Sequence, residues 1–261
     1  MSDPSGEERP VSTTTPTSGR ERGPRGVLGR VLGLVRPVLV DRVPRDHHES
    51  DDAFRRRRLV VAATLVVGAT LLGLSFSTEP GDAAFYPLTF GLALTWALGS
   101  VASGPLHLGH IIFRGGRHRP VLAPILLGLI LAAAFIVGGL VIRQIPVLAR
   151  YTNDVLGYAA AGSLALVTVI TLVNGIAEEL FFRGALFAAI GVKHPVLIST
   201  VLYALTTVAG GNPVLVFAAA VLGLVVGLQR RAGGGVLGPI LTHITWSMAM
   251  LYVLPPLFAA A

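Results

Sequence analysis

The sequence predicts an all-α fold, a polytopic membrane helix bundle of about seven to eight transmembrane helices, and three observations carry that expectation. Of 261 residues, 52% are hydrophobic and 13% charged, with a mean hydropathy of +0.70; this is the composition of a chain whose main solvent is lipid. The charges are segregated as well: residues 1–58 hold 12 of the 21 Lys and Arg and 9 of the 14 Asp and Glu, which leaves 9 basic and 5 acidic side chains for the rest. Finally, the basic residues stand at the ends of apolar runs. There they act as topology signals and not as a phosphate-binding surface, so nucleic acid is not expected as a partner despite a net charge of +7. Cysteine is absent, which excludes disulfides, thiolate metal sites and a cysteine nucleophile.

Three regions follow from this pattern: a basic, largely disordered cytoplasmic tail over 1–58, N-terminal transmembrane helices over 59–154, and a second membrane region over 155–255. The first 26 residues are rich in Ser, Thr, Pro, Gly and charge and cannot bury enough apolar area to offset chain entropy. Val27 to Val40 pairs apolar residues around Arg30 and Arg36; it reads either as a surface helix on an anionic membrane or as a linker weakened by Gly29, Gly33 and Pro37.

Arg55 to Arg58 precede Leu59–Phe76, an uncharged run just long enough to span the hydrocarbon core. Four arginines at that end place it in the cytoplasm, in a multi-pass protein of the cell membrane. Glu79 and Asp82 then mark an outer turn, Ala83–Phe113 is a second span ending at Arg114, Arg117 and Arg119, and Val121–Ile142 is a third. An outer loop with Arg143, Arg150 and Asp154 leads to a fourth span, Val155–Ala177. Apolar runs at Val196–Ala209, Val214–Leu228 and Val236–Leu254 supply three more. Between them Glu178–Val192 is expected to begin and end on the cytoplasmic side as a re-entrant helix; counted as a span, it makes eight.

The informative segment is Asn174-Gly175-Ile176-Ala177-Glu178-Glu179-Leu180-Phe181-Phe182-Arg183-Gly184. Ionisable groups at membrane depth cost roughly 2.5–3.5 kcal/mol each on insertion scales, so three within six residues need a partner or a wet cavity. Glu179 and Arg183 are i and i+4 on a helix, the favourable order for an ion pair. Glu178 is left over, pointing about 100° away, and is a candidate general base or acid. The plainer alternative is a helix end with Arg183 snorkelling to the headgroups. A second polar cluster, His243 with Thr242, Thr245 and Ser247, lies in the final span and offers the other half of an acid/base site.

Glu178-Glu179-Leu180-Phe181-Phe182-Arg183 resembles the Glu-Glu-x-x-x-Arg signature of the CPBP family, the CAAX proteases and bacteriocin-processing enzymes, also called Abi. Phe217, Gly223, Gly227, Arg231, Gly235, Pro239 and His243 resemble that family's last two motifs, and the likeness covers about residues 155–255. The resemblance implies an intramembrane endopeptidase that cleaves a peptide bond near a membrane-anchored end of a membrane-associated peptide or protein substrate. Carried over, Glu178 is the water-activating base, Glu179 and Arg183 orient the site, and His243 polarises the water or stabilises the oxyanion. No His-Glu-x-x-His occurs, so no cofactor is expected and zinc is not supported.

Two positions depart from the family pattern. Ser199 and Tyr203 fit the second motif, but its histidine is replaced by Thr207, and the asparagine that closes the final motif is replaced by Ser247. His107 and His110, at i and i+3 near the end of the second span, read as an interfacial pair solvated near Arg114, with a place in the same cavity as the alternative; His194 and His118 read as loop residues. These departures leave a second reading, a catalytically degenerate relative that binds membrane partners in the same cavity. A third is a small proton-coupled transporter using Glu178, Glu179, Arg183 and His243, against which stands the lack of a matching half in residues 59–154.

Overall fold

In a computed structural model, which describes residues 36, 39–40, 49–113 and 116–259, the described residues from 49 onward form a bundle of eight helices with one two-stranded ribbon. In order these are α1 (Asp51–Phe76), α2 (Phe85–Ser103), the ribbon β1 (Ile111–Phe113) and β2 (Gly116–His118), α3 (Leu122–Ile142), α4 (Pro146–Ala161), α5 (Leu164–Ile190), α6 (Pro195–Val208), α7 (Pro213–Gly233) and α8 (Leu237–Ala259). The expected disorder of residues 1–26 and nearly all of the Val27–Val40 segment lie outside the described residues.

Six helices, α1, α2, α3, α5, α7 and α8, are long and apolar enough to cross a membrane. The 14-residue α6 rises only about 21 Å, short of a hydrocarbon core of about 30 Å. The protein is therefore a multi-pass membrane protein. Large apolar side chains turned outward, such as Leu59, Val66, Leu122 and Val137, cover its lipid-facing surface.

Three boundaries differ from the sequence expectation. The fourth span begins at Leu164 and not at Val155, because the chain breaks at extended Gly162 and Ser163 and residues 146–161 form the separate α4. Glu178–Val192 is not a separate helix: Glu178–Ile190 is the second half of the 27-residue α5, about 40 Å long. No proline interrupts α5, and the helix absorbs its crowded centre by widening into a π-turn over Leu180–Leu186.

The second span, lastly, ends at Ser103, not at Phe113. Residues beyond it run extended alongside the α7–α8 link, with His110 N donating to Gly233 O at 2.8 Å and Val236 N donating to His107 O at 2.9 Å. The sequence could not show this pairing because it depends on two glycines meeting back to back: a Cβ on Gly235 would lie 2.0 Å from Gly109 N. His107 and His110 are consequently not on one helical face, and neither lines the cavity that holds Glu178 and His243.

The pairs α1/α2, α6/α7 and α3/α8 pack side by side, and α5 lies between α2 and α8. At its centre Trp96 of α2 stacks on Phe181 with ring centroids 4.5 Å apart, and Phe182 meets Tyr203 of α6 at 4.7 Å. This aromatic layer fixes the π-turn on both sides. It is what turns Glu179 and Arg183 away from lipid.

Candidate active site

Glu179 and Arg183 are completely buried, with Arg183 Nη1 donating to Glu179 Oε1 at 3.1 Å. The guanidinium lies over the Tyr203 ring, 4.6 Å from its centroid, and against Gly223 of α7, where an added Cβ would come within 3.1 Å of Nη2. The fit leaves no room for a side chain at residue 223. Arg230 Nε, from the end of α7, donates to the Arg183 carbonyl at 2.5 Å. Arg183 is thus a cross-brace between α5, α6 and α7, and it does not snorkel.

The same Glu179 Oε1 faces His243 Nδ1 at 2.8 Å. Since a carboxylate only accepts, this contact places the proton on Nδ1 and leaves Nε2 as the free end of the ring. That end looks toward Gly175, whose added Cβ would lie 3.9 Å from His243 Nε2. Glycine there opens the space between α5 and α8. Glu178, half-buried on the next turn, accepts a hydrogen bond from Tyr203 Oη at 2.6 Å.

Glu178, His243, Thr207 and Ser247 line one cavity of about 390 Å³, together with Asn174, Tyr203 and Trp246. The remainder of the wall is mainly apolar and reaches the far end of the bundle, where α4 covers it. There Tyr158 Oη donates to Phe76 O at 3.3 Å, and Asn212 Nδ2 donates to Tyr151 O at 2.7 Å. Thr207 does not stand in for an imidazole: its hydroxyl donates to the Tyr203 carbonyl of its own helix at 2.9 Å. Thr242 is a structural tie, taking Gln229 Nε2 at 2.8 Å and donating to Pro124 O at 2.9 Å. Among the described residues no group of three or more His, Asp and Glu side chains is placed to hold a metal ion.

Two site residues had been given no chemical role by the sequence. Tyr203 matched only as a motif aromatic, and its bond to Glu178 spans 25 residues. Asn174 lies one turn before Glu178 on the same face, with its buried Oδ1 unpartnered among the described residues; the i, i−4 spacing was the available signal.

The comparison with known proteins falls on this part of the chain. Residues 160–249 match the family model of the type II CAAX prenyl endopeptidases, Rce1-like. Over this segment the chain is similar to the Rce1-like proteins, which is consistent with the resemblance to the CPBP family. No curated protein and no solved structure matches it. The Rce1-like segment runs from the end of α4 through most of α8 and so includes both glutamates, Arg183, Tyr203 and His243.

Proposed function

We propose that the protein is an intramembrane endopeptidase that cleaves a peptide bond near a membrane-anchored end of a peptide or protein substrate, using a water activated by Glu178 and His243. The observation carrying this reading is that one carboxylate and one imidazole end line the same cavity while Glu179 holds the other end of the imidazole. Glu178 takes the proton from water as it attacks the scissile carbonyl, and later returns it to the departing amine. His243 Nε2 positions the water and, when protonated, donates to the oxyanion, with Glu179 compensating the imidazolium charge as the orienting carboxylate does in hydrolytic triads. Glu179 and Arg183 are positioning residues. Tyr203 holds Glu178 through Oε2, and Asn174, whose Nδ2 donates to Ile170 O at 3.1 Å, lines the same cavity. The reaction as drawn uses no metal and no other cofactor.

The protein lies in the cell membrane with its N-terminal tail in the cytoplasm, as the four arginines at 55–58 and the positive-inside tendency imply. One observation favours the non-catalytic alternative: the Thr207 hydroxyl is spent on its own helix, so the position of the motif histidine contributes no acid or base. Cleavage of a membrane-anchored reporter by the purified protein separates the two. Glu178→Ala is expected to lower the rate at least about 100-fold, the low end for loss of a general base, with folding unchanged. Undiminished cleavage in that variant would sink the enzymatic reading, as would proton flux in vesicles that depends on Glu178.

A further inference from the structure

The far end of the Glu178 cavity is covered by α4, and that helix is held differently from the rest of the bundle. Its sixteen residues rise only about 24 Å, too short to span the hydrocarbon core. Arg150, Asn153 and Asp154 stand exposed on one side, while Thr152, Val155, Leu156 and Ala159 line the cavity from the other. The spacing i, i+3, i+4 and i+7 makes these four a single helical stripe, so α4 lies across the cavity end with its less polar face inward. Packing beneath it is thin. Thr152 alone of the sixteen is buried, and its hydroxyl is turned to Leu148 O of its own helix at 2.9 Å.

Polar ties at two points hold α4 in place. Tyr158 Oη reaches the Phe76 and Thr78 carbonyls where α1 ends, its ring stacked on Phe85 with centroids 4.7 Å apart. Asn212 Nδ2, from the start of α7, donates to the Tyr151 carbonyl at 2.7 Å. Both flanks of α4 are extended, at Ile145 (φ −106°, ψ 104°) and Gly162 (φ −108°, ψ 175°). Rotation at those residues tilts the helix as a unit without unwinding it. Little buried surface and a few hydrogen bonds oppose that motion, the pattern of a segment that opens locally while the bundle stays folded.

We propose that α4 is a hinged lid: it swings out when the Tyr158 and Asn212 ties release, and the cavity holding Glu178 and His243 is then entered from this end of the bundle. That the entering group is a substrate segment rests on the peptidase reading; the lid itself does not. The chain has no cysteine, so access can be read at one introduced thiol, and Ser247→Cys puts it on the cavity wall. A Cβ added at Gly157 of α4 lies 3.6 Å from Pro80 Cβ in the α1–α2 turn, within the roughly 3.5–4.5 Å of a disulfide. Pro80→Cys/Gly157→Cys therefore locks the lid, and peptide mass spectrometry identifies both the bridge and the modified thiol. In detergent-solubilised full-length protein, a charged, water-soluble methanethiosulfonate should modify residue 247 at least about tenfold more slowly with the bridge formed than after its reduction, because labelling follows the open fraction. Tyr158→Phe, without the bridge, should label about two- to tenfold faster than its Ser247→Cys parent, the population change from one lost hydrogen bond. Equal rates with and without the bridge overturn the lid, as does a residue 247 that stays unlabelled in the reduced protein. An unchanged rate in Tyr158→Phe overturns release of that tie as the opening step. Access and cleavage fail separately. A protein that cleaves nothing but whose labelling still depends on the bridge keeps the lid and loses the peptidase, whereas a bridged protein that cleaves the membrane-anchored reporter at full rate overturns entry from this end.

Discussion

Glu179 Oε1 serves two donors at once, Arg183 at 3.1 Å and His243 at 2.8 Å, in a side chain with no exposure. Such a charge is tolerable only while its partners remain, so truncating one partner costs far more than the pair contributes. Arg183→Gln alone is expected to destabilise by about 3–5 kcal/mol, the range for an orphaned buried charge. Glu179→Gln/Arg183→Gln should cost clearly less than the sum of the two single changes. Chemical unfolding in detergent micelles provides the four stabilities of the cycle; additivity within about 0.5 kcal/mol would show that the two charges do not act as a unit. The Glu179–Arg183 contact was legible in the sequence because helical spacing alone brings i and i+4 together. The His243 contact was not, since it joins residues 64 apart and depends on how α5 and α8 pack. The same holds for Tyr203 and Glu178: an aromatic residue in an apolar helix looks the same whether it packs in lipid or caps a carboxylate.

Elements explain which boundaries the sequence missed. Hydropathy locates apolar runs, yet it does not distinguish a helix break from a loop of the same composition, and residues 155–163 and 104–113 are apolar enough to be read as parts of the fourth and second spans. In the second case the decisive contact is backbone to backbone, where Gly235 meets Gly109. Gly235→Ala must push those backbones apart and is expected to cost at least about 1–3 kcal/mol, as overpacking does. Gly138→Ala is the control, because an added Cβ there meets nothing within 4 Å; it should be neutral or stabilising by up to about 1 kcal/mol through helix propensity. Equal effects in thermal unfolding would mean that the crossing does not constrain the fold. The start of α1 carries a pH-dependent tie. Arg57 hydrogen-bonds Glu49 and holds its carboxyl below the ordinary value. A carboxyl depressed in the folded state adds stability above its unfolded pKa and loses it as pH falls through the folded value. Wild type should therefore exceed Glu49→Gln near neutral pH, with the gap closing in acid. A gap that persists unchanged below about pH 3 would assign the difference to packing.

At the scale of the whole molecule, the class of fold was readable because lipid imposes it: backbone polar groups in hydrocarbon must be satisfied within helices or closed barrels, and the long apolar runs here have no strand alternation. The direction of each helix is a further inference from arginine placement, and α5 is the element on which it turns. If its 27 residues cross once, α4 and the α1–α2 turn lie on one side and the 191–195 turn on the other. The re-entrant alternative would put both ends of the Glu178 segment on the same side. The natural lack of cysteine makes single-cysteine probes clean. Val192, 94% exposed, and the exposed Asp154 and Glu79 are suitable positions. In sealed, oriented membranes, a membrane-impermeant maleimide added outside should label Glu79→Cys and Asp154→Cys but not Val192→Cys, which should react only when the inner face is opened. Labelling of residues 154 and 192 from the same side would mean that α5 does not cross. It would also move the Glu178 cavity to one face of the membrane, changing the side from which a substrate's anchored end can reach the cluster of Glu178, Tyr203 and His243.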